Sequence, residues 1–118
     1  MSNLKDIAEN IKKNNLDKAL NLCEVCDDIN NQHIISNFKG VIYLIKGNLE
    51  SSEKNLLKSL KINPKFEDAI KNLYLVYLKK KLFKELLIYA KQLIEIDKLN
   101  AEHNYKLAYA LELNNNLD

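Results

Sequence analysis

The chain has no arginine and no tryptophan, and among its 118 residues only two glycines, one proline, two cysteines and one methionine. Each scarcity excludes something. So little glycine and proline cannot punctuate an all-β chain, which needs turn residues about every 8–12 positions, and the composition therefore favours helices. Without arginine there is no forked guanidinium for two-bond recognition of guanine, phosphate or carboxylate. A formal net charge of +2 is too small to imply nucleic acid or a membrane surface, so neither is expected as a partner. The opening MSNLKDIAENIKK is charged every few residues and has no apolar signal core. No run approaches the roughly 18 apolar residues of a membrane span. The two cysteines are then expected as free thiols in a reducing compartment, the cytoplasm. What is abundant is apolar (47%) and charged (29%) residues, enough for one domain to bury a core without disulfide or metal.

Both glycines and the proline fall in one run, from Lys39 to Pro64, and the run recurs along the chain. Shifted by 34, Tyr43 falls on Tyr77, Leu60 on Ile94 and Ile62 on Ile96; shifted back by 33, Leu49 falls on Leu16, Ser52 on Ala19 and Ile62 on Ile29. Shifted forward by 68, Gly40 meets Ala108 and Leu44 meets Glu112. One structural unit is used repeatedly, with one residue lost in the first turn. Within each unit the apolar spacing is helical: Leu4, Ile7, Ala8 and Ile11 form one stripe, and Leu16, Ala19, Leu20 and Cys23 another after the polar turn KKNN. The alternation predicts further helices over 33–46, 49–62, 67–80, 83–96 and 101–113, about seven in all.

On these residues the chain resembles the tetratricopeptide repeat (TPR) family of 34-residue helix–turn–helix units. The 33–66 unit carries the resemblance, with Gly40 at the small position of the first helix, Tyr43 three places later, Gly47–Asn48 at the turn and Pro64 closing the unit. The resemblance implies an all-α right-handed superhelix, a single TPR domain over 1–118. Its units are 1–32, 33–66 and 67–100, followed by a terminal helix, 101–113. Gly47 then ends a helix in the left-handed conformation that glycine tolerates, and Pro64 stops one because it lacks the amide. Gly40 is expected where two helices approach closely, facing Ser52, with Ala8 and Ala19 making the same contact in the first unit. Tyr74 and Leu86 stand there in the third, whose helices should sit further apart.

Sites that would carry chemistry are weak. Cys23 and Cys26 are expected mid-helix on the packing face, not at the helix N-terminus that activates a redox CxxC, and no further ligands complete a zinc site. His33 and His103 are expected at the surface or in caps, with no nucleophile or carboxylate set beside them. No catalytic, cofactor or metal residue is assigned and the chain is not expected to be an enzyme. Lys12, Lys13, Lys46 and Lys79–Lys81 end the first helices and would form a basic ridge, each also complementing a helix dipole. Of the Lys and Asn clamp that chaperone-binding TPR domains use, only Lys5 fits. Glu9 and Phe38 stand for asparagines, and Asp68 and Asn72 for cations. An acidic chaperone tail is therefore disfavoured.

The resemblance puts function on the concave face, lined by first helices. In HIISNFKGVIYLIKG the apolar residues run nearly all round the helix, so that Phe38, Val41 and Ile45 are expected to face the groove. Leu75 and Leu78 follow, then Tyr105 and Tyr109. A helix apolar on all sides is normally covered, here by a partner peptide or helix, by a second copy in a homodimer, or by missing C-terminal sequence. The function expected is non-catalytic protein–protein interaction, as a cytoplasmic scaffold that captures a peptide or helix. Its rival is an N-terminal TPR helper or dimerisation module of a longer enzyme, such as a transferase.

Overall fold

The computed structural model describes residues 3–115. Among them the chain forms α1 (Leu4–Lys12), α2 (Leu16–Val25), α3 (Gln32–Ile45), α4 (Leu49–Ile62), α5 (Glu67–Lys80), α6 (Phe83–Ile96) and α7 (Ala101–Asn115). A 3₁₀ turn spans Ile29–Asn31, and the described residues include no strand. The fold is all-α, and within α1–α4 and within α5–α7 consecutive helices pack on one another. Backbone proximity gathers them into two compact units, Met1–Phe66 and Glu67–Asp118.

The repeat is written in the backbone more clearly than in the residue types. Asn14, Gly47 and Lys81 share the left-handed conformation, at φ 62°, 81° and 60°. Each closes the same double-bonded helix cap. The amides of Asn15, Asn48 and Leu82 donate five residues back, to the carbonyls of Asn10, Tyr43 and Tyr77 at 2.8, 2.9 and 3.0 Å. The loops after α4 and α6 match in the same way: Phe66 and Asn100 donate to Asn63 and Asp97 at 3.1 and 3.3 Å. Counterparts can thus be assigned from hydrogen bonds alone. The shortened connection proves to be the one between α2 and α3, not a hairpin turn. α2 stops at Val25, short of Ile29, the counterpart of α4's last residue Ile62.

Within each hairpin, bulk is traded between the two helices. A side chain at Gly40 would put its Cβ 2.4 Å from Leu56 Cδ2, so glycine is what admits leucine. Ser52, expected opposite Gly40, does lie against it and donates its hydroxyl to the Gly40 carbonyl at 2.7 Å. The counterparts of Gly40 and Leu56 are Ile7 and Cys23 in the first hairpin, and Tyr74 and Ala90 in the third, all buried. Ile7, not the exposed Ala8, occupies this position in α1. As the first residue grows, the second shrinks, which keeps the interior close to crystalline packing density. The α3 and α4 backbones stay close over more of their length than those of α5 and α6.

Each unit buries its own core. In the first, Ile7, Ala19, Cys23, Ile35 and Ile42 cluster, with Leu4, Ile11, Leu16, Leu20 and Phe38 packed against them. In the second, Tyr77 and Tyr89 stack across α5 and α6 with centroids 5.5 Å apart. Asn114 donates to the Phe83 carbonyl at 2.8 Å, tying the end of α7 to the start of α6.

Candidate interaction surface

In the second unit, α7 lies so that the Tyr74 hydroxyl of α5 donates to the Lys106 carbonyl at 3.2 Å. Lys106 Nζ stands 5.7 Å from the Tyr74 ring centroid, close enough for a cation–π attraction. Burial, and then the hydroxyls of Tyr109 and Tyr105, push the Tyr74 phenol above its usual range. Tyr105 and Tyr109, one helical turn apart, stack at 6.3 Å and 8° between planes. Tyr105 is 71% exposed and Tyr109 37%. A stacked, exposed aromatic pair offers a large apolar contact area.

The other expected residues are distributed more widely. Leu75 is exposed on α5, and Leu78 is half-buried. In the first unit Ile45 is half exposed and Val41 half-buried. Phe38 does not lie free: it packs against the first unit's core. By the turn and loop hydrogen bonds, Val41, Leu75 and Tyr109 are counterparts. Leu78 is the counterpart of Leu44, and Tyr105 of Lys71, so these two lie on a neighbouring line of the helix. Sequence spacing alone had merged the two lines.

No family model and no curated protein matches the chain.

The polar candidates resolve individually. Lys46 pairs with Asp17 at 2.5 Å, and this hydrogen bond and charge hold the Asp17 carboxyl below its usual range. Lys13 pairs with Glu9 at 3.2 Å. Both lysines are thus partnered within the first unit. Cys23 is buried in α2, and desolvation pushes its thiol up to about 11. Cys26 lies beyond the end of α2 and not mid-helix, and both thiols are free.

His103 corrects the expectation of a surface histidine. It is 1% exposed, with Nε2 2.9 Å from Glu67 Oε1. Its amide is capped by the Asn100 side chain at 3.0 Å. Asn100 in the sequence could have signalled that cap; nothing in the sequence signalled the pairing with Glu67. No helix among the described residues is long and apolar enough to cross a membrane, and none of their His, Cys, Asp and Glu side chains gather into a metal-sized group.

Proposed function

We propose that the protein is a non-catalytic interaction module of TPR type, which takes a peptide or helix of another protein on the exposed apolar residues of α5 and α7. The stacked, solvent-facing Tyr105–Tyr109 pair carries this reading. Exposed aromatic residues are common anchors of protein interfaces, and among the described residues both tyrosines are exposed. The repeated hairpins supply the scaffold, and the buried, inert thiol at Cys23 is consistent with a role free of chemistry.

A photoreactive residue placed at Tyr109 should cross-link a defined partner, whereas the same group at exposed Lys54 should not. Leu75→Asp should abolish that capture with circular dichroism unchanged. Equal capture from both positions, or capture indifferent to Leu75→Asp, would reject the reading.

A further inference from the structure

Charge is sorted by place within the first unit. From Ala19 to Phe38 the chain has three carboxylates, Glu24, Asp27 and Asp28, and no lysine; between Glu53 and Glu67 it has four lysines and no carboxylate. Both stretches end a second helix. The first holds the end of α2 and the link to α3, where Val25 and Ile29 are 70% and 85% exposed. The second holds the last turns of α4, where Leu57, Lys58, Lys61 and Ile62 are all exposed, with Lys65 just beyond. Among the described residues Asp27, Lys58, Lys61 and Lys65 have no ion pair. Neither charge set is explained inside its own hairpin. Asp27 stands where a carboxylate opposes the dipole of α2. The counterparts of Lys58 and Lys61 on α6 are Gln92 and Glu95, so the hairpin itself does not call for lysine there.

We infer that these two patches bind each other between two copies of the chain, the Val25–Ile29 link of one copy seated on the end of α4 of the other. Asp27 and Asp28 then meet Lys58 and Lys61, while Val25 and Ile29 cover Leu57 and Ile62. Position favours a reciprocal pairing. By the 33-residue repeat Val25 is the counterpart of Lys58, Asp28 of Lys61 and Ile29 of Ile62. The patches thus occupy equivalent places on neighbouring hairpins, and a two-fold axis between them makes both contacts at once. What decides for a second copy is that the chain carries both halves, opposite in charge and each with two exposed apolar residues. A membrane, a nucleic acid or an acidic segment of another protein would answer the lysines and leave the link bare; further sequence of this chain would have to supply two covers of opposite sign. The inference concerns α2 and α4 and stands apart from the reading of α5 and α7.

The test is the mass of the full chain by sedimentation equilibrium. The native chain should form dimers, about tenfold weaker at ~1 M salt than at ~0.1 M, because exposed charges are screened. Lys58→Glu with Lys61→Glu, which alters exposed side chains only, should weaken dimerisation at least about tenfold. Asp27→Lys with Asp28→Lys should do the same, and Asp27→Lys alone serves where loss of the Asp28–Asn31 bond disturbs the link. Each double variant alone sets like charges across the interface, whereas an equal mixture of the two sets opposite ones. Mixing should therefore restore a dimer containing one of each. A chain that stays monomeric up to about 1 mM, dimers indifferent to the lysine change, or variants that do not pair on mixing would overturn the inference. Dimers lost on Leu75→Asp and kept in the lysine variant would overturn it too, by placing the copies on α5. So would a monomer whose α4 lysines bind polyglutamate or phosphatidylserine vesicles, which would give the face to a different occupant.

Discussion

Asn14, Gly47 and Lys81 share one backbone conformation at unequal cost. An L side chain in the left-handed region loses roughly 1–2 kcal/mol to the clash of its Cβ with the following carbonyl. Gly47 avoids that, and the space around it is open, so Gly47→Ala should destabilise by about 1 kcal/mol through backbone strain alone. Lys81→Gly should do the reverse and raise stability by roughly 0.5–1 kcal/mol, the relief of strain outweighing the added freedom of the unfolded chain. Urea midpoints of the two variants check both signs. Cys23 offers a second test. Its thiol is raised in the folded state, so its stabilisation is whole below about pH 8.5 and declines as pH climbs towards 11. Cys23→Ala should flatten that decline, and alkylation of the native protein should reach half-buried Cys26 long before Cys23. The glycine at the second turn was legible because glycine is the strongest signal for φ > 0. Asn14 carries a weaker form of that signal and Lys81 none, and the hydrogen bonds reveal both.

Helix boundaries were the most legible feature, because apolar residues at three- and four-residue spacing mark a face wherever a core needs one. Predicted spans 49–62, 67–80 and 83–96 coincide with α4, α5 and α6. α2 is the exception, ending at Val25. Asp27 and Asp28 follow at once, and carboxylates oppose the dipole at a helix C-terminus. Asp28 turns instead to the 3₁₀ turn, accepting from Asn31 Nδ2 at 2.8 Å. What sequence could not supply was the pairing of bulk across a hairpin, because Gly40 and Leu56 are sixteen residues apart and neither pattern mentions the other. Gly40→Ala should cost about 1–3 kcal/mol by overpacking against Leu56. Adding Leu56→Ala should recover part of that loss, a coupling that a double-mutant cycle measures.

For the whole molecule, the first unit's cluster around Ile7 and Ile42 joins α1, α2 and α3, and α4 adds the fully buried Leu56 against Gly40. A fragment of residues 1–66 should therefore fold by itself, with helical circular dichroism and a cooperative melt; a disordered fragment would show that its helices need the remainder of the chain. The candidate surface was less legible than the fold. A helix sequence shows which residues are apolar, but exposure depends on what its neighbours cover. Phe38 and Tyr105 read alike as groove aromatics, yet one is packed against a core and the other is 71% exposed.

The exchange of volume inside each hairpin also limits how such an array can lengthen or shorten. Duplication or deletion with breakpoints near residues 31, 66 and 100 would copy mated couples and keep every interior filled. Breakpoints at the tips of the turns would remarry α3 to α6 or α5 to α4, leaving a void in one hybrid and a collision in the other. The unit that packing allows to be copied whole is therefore the couple, and its seams lie between hairpins.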